Sequence, residues 1–381
     1  MIIDKPEYKE IAPFNDAQAM AALREMAQQP IAGKFSKMIF PDDDPGKLSS
    51  IIMELKTVDE FQTKVIYHFV KYIINKSIDK LTFSGAENLD KVNGRFLLVS
   101  NHRDIILDPA ITQVVMFDSG HDTTEIAVGN NLLGDPTIAT LMNCNKMVKV
   151  IRNGSPRDIY MASANLSRFI RESITSGESS FWIAQREGRA KNGIDTTEQG
   201  VLKMFDMSGS GDFAKDFEEL NIIPLSISYE YDSCDILKAR EKLIAGGGKY
   251  VKAPGEDENS IMTGIRQWKG NTHLTIGEPL TKDEIEEAAS LTKNERYQHL
   301  CHILDGRIRK GYKLWKTNYM AYDMVNGSDK YSEKYTAADK ENFKDYVEKS
   351  LDKVEPTLDR EGLKDLFLHI YSNPVKSAEE L

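Results

Sequence analysis

The sequence predicts an α/β fold: a mixed, largely parallel sheet flanked by helices, preceded by a helical region and followed by a helical extension. Three observations predict it. Between residues 81 and 281, short apolar runs bounded by turn residues alternate with longer amphipathic segments, as βα units require. Several of those segments open with a capping residue followed by proline, so helices begin where strands have just ended. Outside this stretch the chain returns to helix formers at helical spacing. The 381 residues therefore divide into an N-terminal helical domain (1–80), an α/β domain (81–281) and a C-terminal helical extension (282–381).

In chain order, Asp16 to Gln28 is rich in Ala and Met, and Ile51 to Ile78 sets Phe61, Val65, Phe69 and Ile73 near one helical face. The pattern changes near Thr82-Phe83-Ser84-Gly85. Strands are expected at Arg95 to Ser100, Glu125 to Val128, Met147 to Ile151, Phe181 to Ala184, Ile222 to Tyr229 and His273 to Ile276. Helices are expected to open at Asp108-Pro109, Asp135-Pro136 and Ser155-Pro156. The clearest runs from Pro156 to Ser176 and stops at Gly177, with Ile159, Ala162, Leu166, Phe169 and Ile174 as its core-facing stripe. Residues 245–260, with Gly246-Gly247-Gly248 and Glu256-Asp257-Glu258, read as a mobile surface excursion between two strands rather than a cofactor loop. Periodic segments near Asn294 to Trp315 and Glu341 to Lys353 belong to the helical extension.

The 59 Asp and Glu exceed the 49 Lys and Arg, giving a formal charge of −10 that opposes nucleic acid and broad docking on anionic lipid. An anion site must then be a local basic cluster. Cys144, Cys234 and Cys301 show no metal-ligand spacing, and their small, odd number suits a reducing, cytoplasmic setting without a disulfide framework. No apolar run reaches membrane-spanning length, although apolar helices within residues 1–80 could give peripheral contact with the inner face of a bilayer. Metalloprotease, Walker, nucleophile-elbow and dinucleotide motifs are missing from the sequence, and no cofactor or metal is implied.

The run ending at Ser100 delivers Asn101-His102-Arg103-Asp104 to the carboxyl end of a strand, the edge at which open α/β sheets bind ligands. A histidine there with carboxylates nearby has the makings of a general base, because an acid on one ring nitrogen fixes the tautomer and frees the other. On position alone, a solvated surface histidine is as good a reading.

Further motifs decide between them. Ser84-Gly85-Ala86-Glu87-Asn88-Leu89, Leu98-Val99-Ser100-Asn101-His102-Arg103 and Asp108-Pro109-Ala110 resemble the first block of the glycerolipid acyltransferases, which include glycerol-3-phosphate and lysophosphatidate acyltransferases. Val150-Ile151-Arg152-Asn153, then Gln185-Arg186-Glu187-Gly188-Arg189-Ala190-Lys191, then Ile223-Pro224-Leu225 to Tyr229-Glu230 resemble the later blocks, in the family's order. Four such blocks in sequence reach well beyond chance, and the likeness is greatest to the soluble glycerol-3-phosphate acyltransferases. The family's acid stands five positions after its histidine, where this chain has Leu107; Asp108 is the nearer counterpart, with Asp104 as the alternative.

The resemblance implies an O-acyltransferase of glycerolipid biosynthesis. It would move a fatty acyl group from acyl carrier protein or acyl-CoA to glycerol 3-phosphate, or to a lysophospholipid, without a covalent enzyme intermediate. It makes His102 the general base and Asp108 its partner. As an N-cap, Asp108 could accept backbone N–H groups with one oxygen and reach His102 with the other. Arg152, Arg189 and Lys191 are the implied phosphate ligands, within a segment (146–191) holding nine cationic side chains against four acidic ones. Glu187 and Gly188 would touch substrate, and Arg103, Arg157 and Pro224 are further candidates. Arg157 lies in a first helical turn, where a bound anion would offset its unfavourable place in the helix dipole. Arg168 and Arg171 read as solvated helix-face charges, and Cys144 and Cys234 as structural thiols. The same scaffold could also serve as a non-catalytic lipid- or phosphate-binding module.

Overall fold

The computed structural model of the protein describes residues 1–381, apart from the side chain of Ile31. Its centre is a seven-stranded sheet: β1 (Lys80–Ser84), β2 (Leu97–Ser100), β3 (Glu125–Gly129), β4 (Met147–Val150), β5 (Phe181–Ala184), β6 (Ile222–Tyr229) and β7 (Asn271–Ile276). The spatial order is β1-β7-β6-β2-β5-β3-β4. Every neighbouring pair is parallel except β6 and β7, which run antiparallel. The sheet is therefore mixed and largely parallel, as the alternating pattern requires.

Strand β1 went unread in the sequence because it is a half-exposed edge, with Phe83 open to solvent, and lacks the apolar density of an interior strand. At the centre, all four residues of β2 are buried. Successive side chains alternate between faces, so Leu97, Val99, Phe181, Ile183 and Ile222 enter one core and Leu98, Trp182, Ile223 and Leu225 the other. Helices Pro156–Thr175, Gln199–Asp206 and Glu295–Gly311 cover the first face, and Tyr67–Ser77 and Leu107–Asp118 the second. Each aliphatic side chain so buried contributes about 1.5–3 kcal/mol.

Helix Pro156–Thr175 opens with a capping box, in which Ser155 and Asp158 satisfy each other's backbone N–H groups, and Pro156 occupies its first position. Arg168 is exposed, but Arg171 is buried, held by Ser208, Glu219 and the carbonyls of Phe205 and Asp216. The charge expected in solvent is instead a clamp between helices.

The helix expected to open at Asp108 begins one residue earlier, at Leu107, so Asp108 lies inside its first turn and is not the N-cap. The N–H groups of Ile106 and Leu107, which have no partner within the helix, are taken by Asp104 Oδ1, each at 2.8 Å. Asp104 thus does the capping, and Asp108 is free to turn back toward the loop. Pro109 is tolerated at the third helical position because first-turn N–H groups have no partner within the helix.

The C-terminal helices Lys316–Asn326, Ala337–Leu351 and Arg360–Glu379 share a core with helix Asp235–Ala245, built from Ile236, Phe343, Val347, Phe367 and Tyr371. Among the described residues, no helix is long and apolar enough to cross a membrane.

Candidate active site

β2 ends in a loop that side chains nail down at both ends. Asn101 extends the sheet: its amide donates to the carbonyl of Ile227 at 3.0 Å and accepts that residue's N–H at 2.8 Å. Two residues on, Arg103 is wholly buried, donating to Asp195, Asp232 and the Gly193 carbonyl, with Tyr312 below its guanidinium. Between these anchors stands His102, its side chain 15% exposed.

His102 Nδ1 lies 2.8 Å from Asp108 Oδ2. A carboxylate can only accept, so Nδ1 is the donor, and in the neutral ring that leaves Nε2 with its lone pair. The same oxygen accepts the backbone N–H groups of Arg103 (2.5 Å) and Asp104 (2.9 Å), and Oδ1 accepts the Tyr229 hydroxyl at 2.8 Å. Four donors thus fix one carboxylate. Burial, reinforced by the Asp108 and Asp104 carboxylates, pushes the Tyr229 phenol well above its ordinary range, so it stays a donor.

A cleft of about 670 Å³ opens in front of His102, a size typical of small-molecule sites. It runs over the carboxyl ends of β3, β4 and β5 and is walled mostly by apolar side chains, among them Phe69, Val114, Ile126, Leu141, Trp182 and Met204. The Trp182 ring meets the His102 ring edge-on, with centroids 6.1 Å apart. The N-terminal region contributes through a π-helical turn, Gln62–Ile66, and the helix that follows it. Such turns occur often at functional sites.

At one end the lining turns cationic, with Arg152, Arg189 and Lys191. Arg189 is 7% exposed; among the described residues it forms no ion pair, and its buried Nη1 has no hydrogen-bond partner. A guanidinium buried without a counter-ion is costly, and a bound anion would offset that cost. Arg152 leans over the end of β3, where a Cβ on Gly129 would come within 3.0 Å of its guanidinium carbon, and its Nη1 is 3.9 Å from Glu187. Lys191 is held by Glu241, and burial pulls its ammonium below the ordinary lysine range. The loop carrying these residues is tied to the histidine by a bond from the Ala190 N–H to the His102 carbonyl, 2.8 Å.

The remaining sequence candidates lie elsewhere or serve the scaffold. Glu187 and Gly188 line the cleft. Arg103 is a buried brace, and Asp104 is spent on the helix start and on Ser233 Oγ. Arg157 is exposed outside the cleft. Pro224 sits where β7 leaves the sheet, its carbonyl accepting the Gly277 N–H, and does not reach the cleft. All three cysteines are free and buried, and burial pushes the Cys144 thiol up to about 12, which suits neither a nucleophile nor a ligand. Sequence reasoning missed Tyr229, Asn101 and Asp195. Tyr229 stood within a quoted block, but only the β2–β6 pairing brings it under Asp108.

With this geometry in view, a family model described as Acyltransferase matches residues 80–228. Residues 80–228 are thus similar to that family. The match ends with β6, so β7, the C-terminal helices and the N-terminal helical region lie outside it. Among solved structures, the 1-acyl-sn-glycerophosphate (LPA) acyltransferase PlsC from Thermotoga maritima is similar, with 13% identity and a TM-score of 0.40 over 77% of this chain and 95% of that one. Comparison with curated proteins gave no match.

Proposed function

We propose that the protein transfers a fatty acyl group from a thioester, acyl carrier protein or acyl-CoA, to a hydroxyl of glycerol 3-phosphate. The observation that carries this reading is the His102–Asp108 pair opening onto one apolar cleft with the unpaired Arg189. In the proposed reaction His102 Nε2 takes the proton of the acceptor hydroxyl as its oxygen attacks the thioester carbonyl. The tetrahedral intermediate collapses by breaking the C–S bond, and the imidazolium returns the proton to the leaving thiolate. Asp108 stabilises the imidazolium and holds the ring in position. General-base assistance of this kind is worth about 10²–10⁴-fold in rate.

Arg189, with Arg152 beside it, takes the acceptor's phosphate and so presets the hydroxyl against His102, a placement effect of several kcal/mol. The apolar walls take the acyl chain and exclude water from the thioester. A donor-by-acceptor matrix read by mass spectrometry tests this. Acyl carrier protein and CoA thioesters are each offered glycerol 3-phosphate, lysophosphatidate and glycerol. Turnover with glycerol 3-phosphate well above that with glycerol is expected. Preference for lysophosphatidate would move the acceptor, and binding without turnover for every pair would make the domain a lipid-binding module.

A further inference from the structure

The segment between β6 and β7 does more than loop across the surface. After helix Asp235–Ala245 it runs through Lys252 into helix Glu256–Arg266, and Lys252, Asp257, Ile261 and Ile265 all line the cleft. Lys252 Nζ is hydrogen-bonded to Asp257 Oδ1, while Asp257 Oδ2 accepts the Asn131 amide at 3.0 Å. Asn131 belongs to the same turn as Gly129, over which Arg152 leans, so this pair sits at the cationic end of the cleft.

We propose that Lys252 is an additional ligand for the acceptor's anionic group, and that Asp257 is its resident counter-ion, displaced from Lys252 when the acceptor binds. The proposal rests on the reading of Arg189 as an anion ligand and adds a residue from outside the acyltransferase-family match.

The charges support it. Five cations line the cleft, and four carboxylates already face them: Glu187 toward Arg152, Glu198 toward Arg186, Glu241 on Lys191 and Asp257 on Lys252. Only Arg189 is left without one. A singly charged vacancy undermatches a phosphate, which carries about −1.5 to −2 near neutral pH. Releasing one carboxylate restores the match.

Asp257 is the carboxylate placed to leave. Glu241 and Asp257 both stand on helices and are both largely buried, but Lys252, the partner of Asp257, lies between Gly247 and Gly255, both in left-handed backbone (φ +86°) with open space around them. Those glycines let the segment pivot at little cost. Burial raises the Asp257 carboxyl, but hydrogen bonds from Lys252 and Asn131 and the charge of Arg189 bring it, on balance, below its usual value. The carboxylate therefore feels the charges that would hold the phosphate.

The test is steady-state kinetics with glycerol 3-phosphate, and inorganic phosphate as inhibitor, for wild type, Lys252→Ala, Lys252→Arg and Asp257→Asn, beside Arg189→Met. Lys252→Ala is expected to raise KM and the phosphate inhibition constant about tenfold with kcat within about twofold, and Lys252→Arg to recover most of the loss. Asp257→Asn is expected to lower KM about threefold, a gain that misfolding could not mimic. Unchanged KM in Lys252→Ala, or a raised KM in Asp257→Asn, overturns the proposal if Arg189→Met still weakens acceptor binding. If Arg189→Met also leaves KM unchanged, the anion seat itself is wrong.

Discussion

Tyr229 donates its hydroxyl to Asp108 at 2.8 Å, on the carboxylate oxygen that His102 does not use. The phenol comes from β6 and the histidine from the end of β2, so the pairing of these two central strands sets the orientation of the carboxylate. Tyr229 is a positioning residue: it acts on the histidine only through Asp108. Tyr229→Phe should lower kcat about three- to tenfold, leave KM for both substrates in place and cost about 1 kcal/mol of stability. Stopped or unaltered turnover in a folded variant would contradict this role.

The two acids beside the histidine should separate cleanly. Asp108→Asn removes the partner of the imidazolium and is expected to reduce kcat by about 10²–10³-fold. Asp104→Asn keeps an amide oxygen for the Ile106 and Leu107 N–H groups but puts a donor where Ser233 now donates and removes the charge facing Lys269, so its effect should fall on the melting temperature, with about 1–3 kcal/mol lost. Activity and thermal melts on both variants check the order, which inverts if Asp104 is the catalytic partner.

Arg103 makes a second structural prediction. Its guanidinium joins the histidine loop to Asp195 and to Asp232, which Lys238 also binds, all of them buried. Arg103→Met leaves the buried Asp195 without a counter-ion and Asp232 with Lys238 alone, and should destabilise the fold by about 3–5 kcal/mol, whereas Arg103→Ala/Asp195→Ala should lose less than the two single changes combined. Denaturant melts of wild type, Arg103→Ala, Asp195→Ala and the double variant measure this coupling.

How far the sequence could be read follows from the kind of signal each residue leaves. The interior strands and the helix at Pro156 announced themselves through apolar runs and capping residues, which are local. His102 with Asp108, and the cationic end with Arg152 and Arg189, were legible because strand ends and charge clustering are also local. The exchange of roles between Asp104 and Asp108 was not, since both are acids at the start of one helix and only the turn geometry assigns the cap. Arg103 reads as a further site candidate until Asp195 and Asp232, about 90 and 130 residues away, close around it. Arg171 was misjudged for the same reason, its partners lying at 205–219. The segment 245–260 reads as a surface excursion because its part in the cleft depends on where β6 and β7 place it.

Glu125, at the start of β3, predicts a pH dependence of stability. Burial pushes its carboxyl up to about 7, against 4.5 ordinarily, with a bond from Ser173 and the charge of Lys146 only partly opposing it. Between those values the folded state holds a proton that the unfolded state has released, so stability falls as pH rises through the window. Glu125→Gln should abolish that fall: alike near pH 5, the variant should exceed wild type above pH 7 by at most roughly 3 kcal/mol. Thermal melts across pH 4.5 to about 8 check it, and a variant weaker than wild type at the alkaline end would contradict it.

The most direct measurement of the central claim is the rate of acyl transfer from a fatty acyl thioester to glycerol 3-phosphate by His102→Ala, with circular dichroism and a thermal melt establishing that the variant is folded. His102 lies half within a loop whose anchors are Asn101 and Arg103, so its removal should leave the fold intact. The expected result is native melting with turnover reduced by about 10²–10⁴-fold and little change in acceptor binding. A folded variant that transfers acyl groups within about threefold of the wild-type rate would show that this imidazole is not the base.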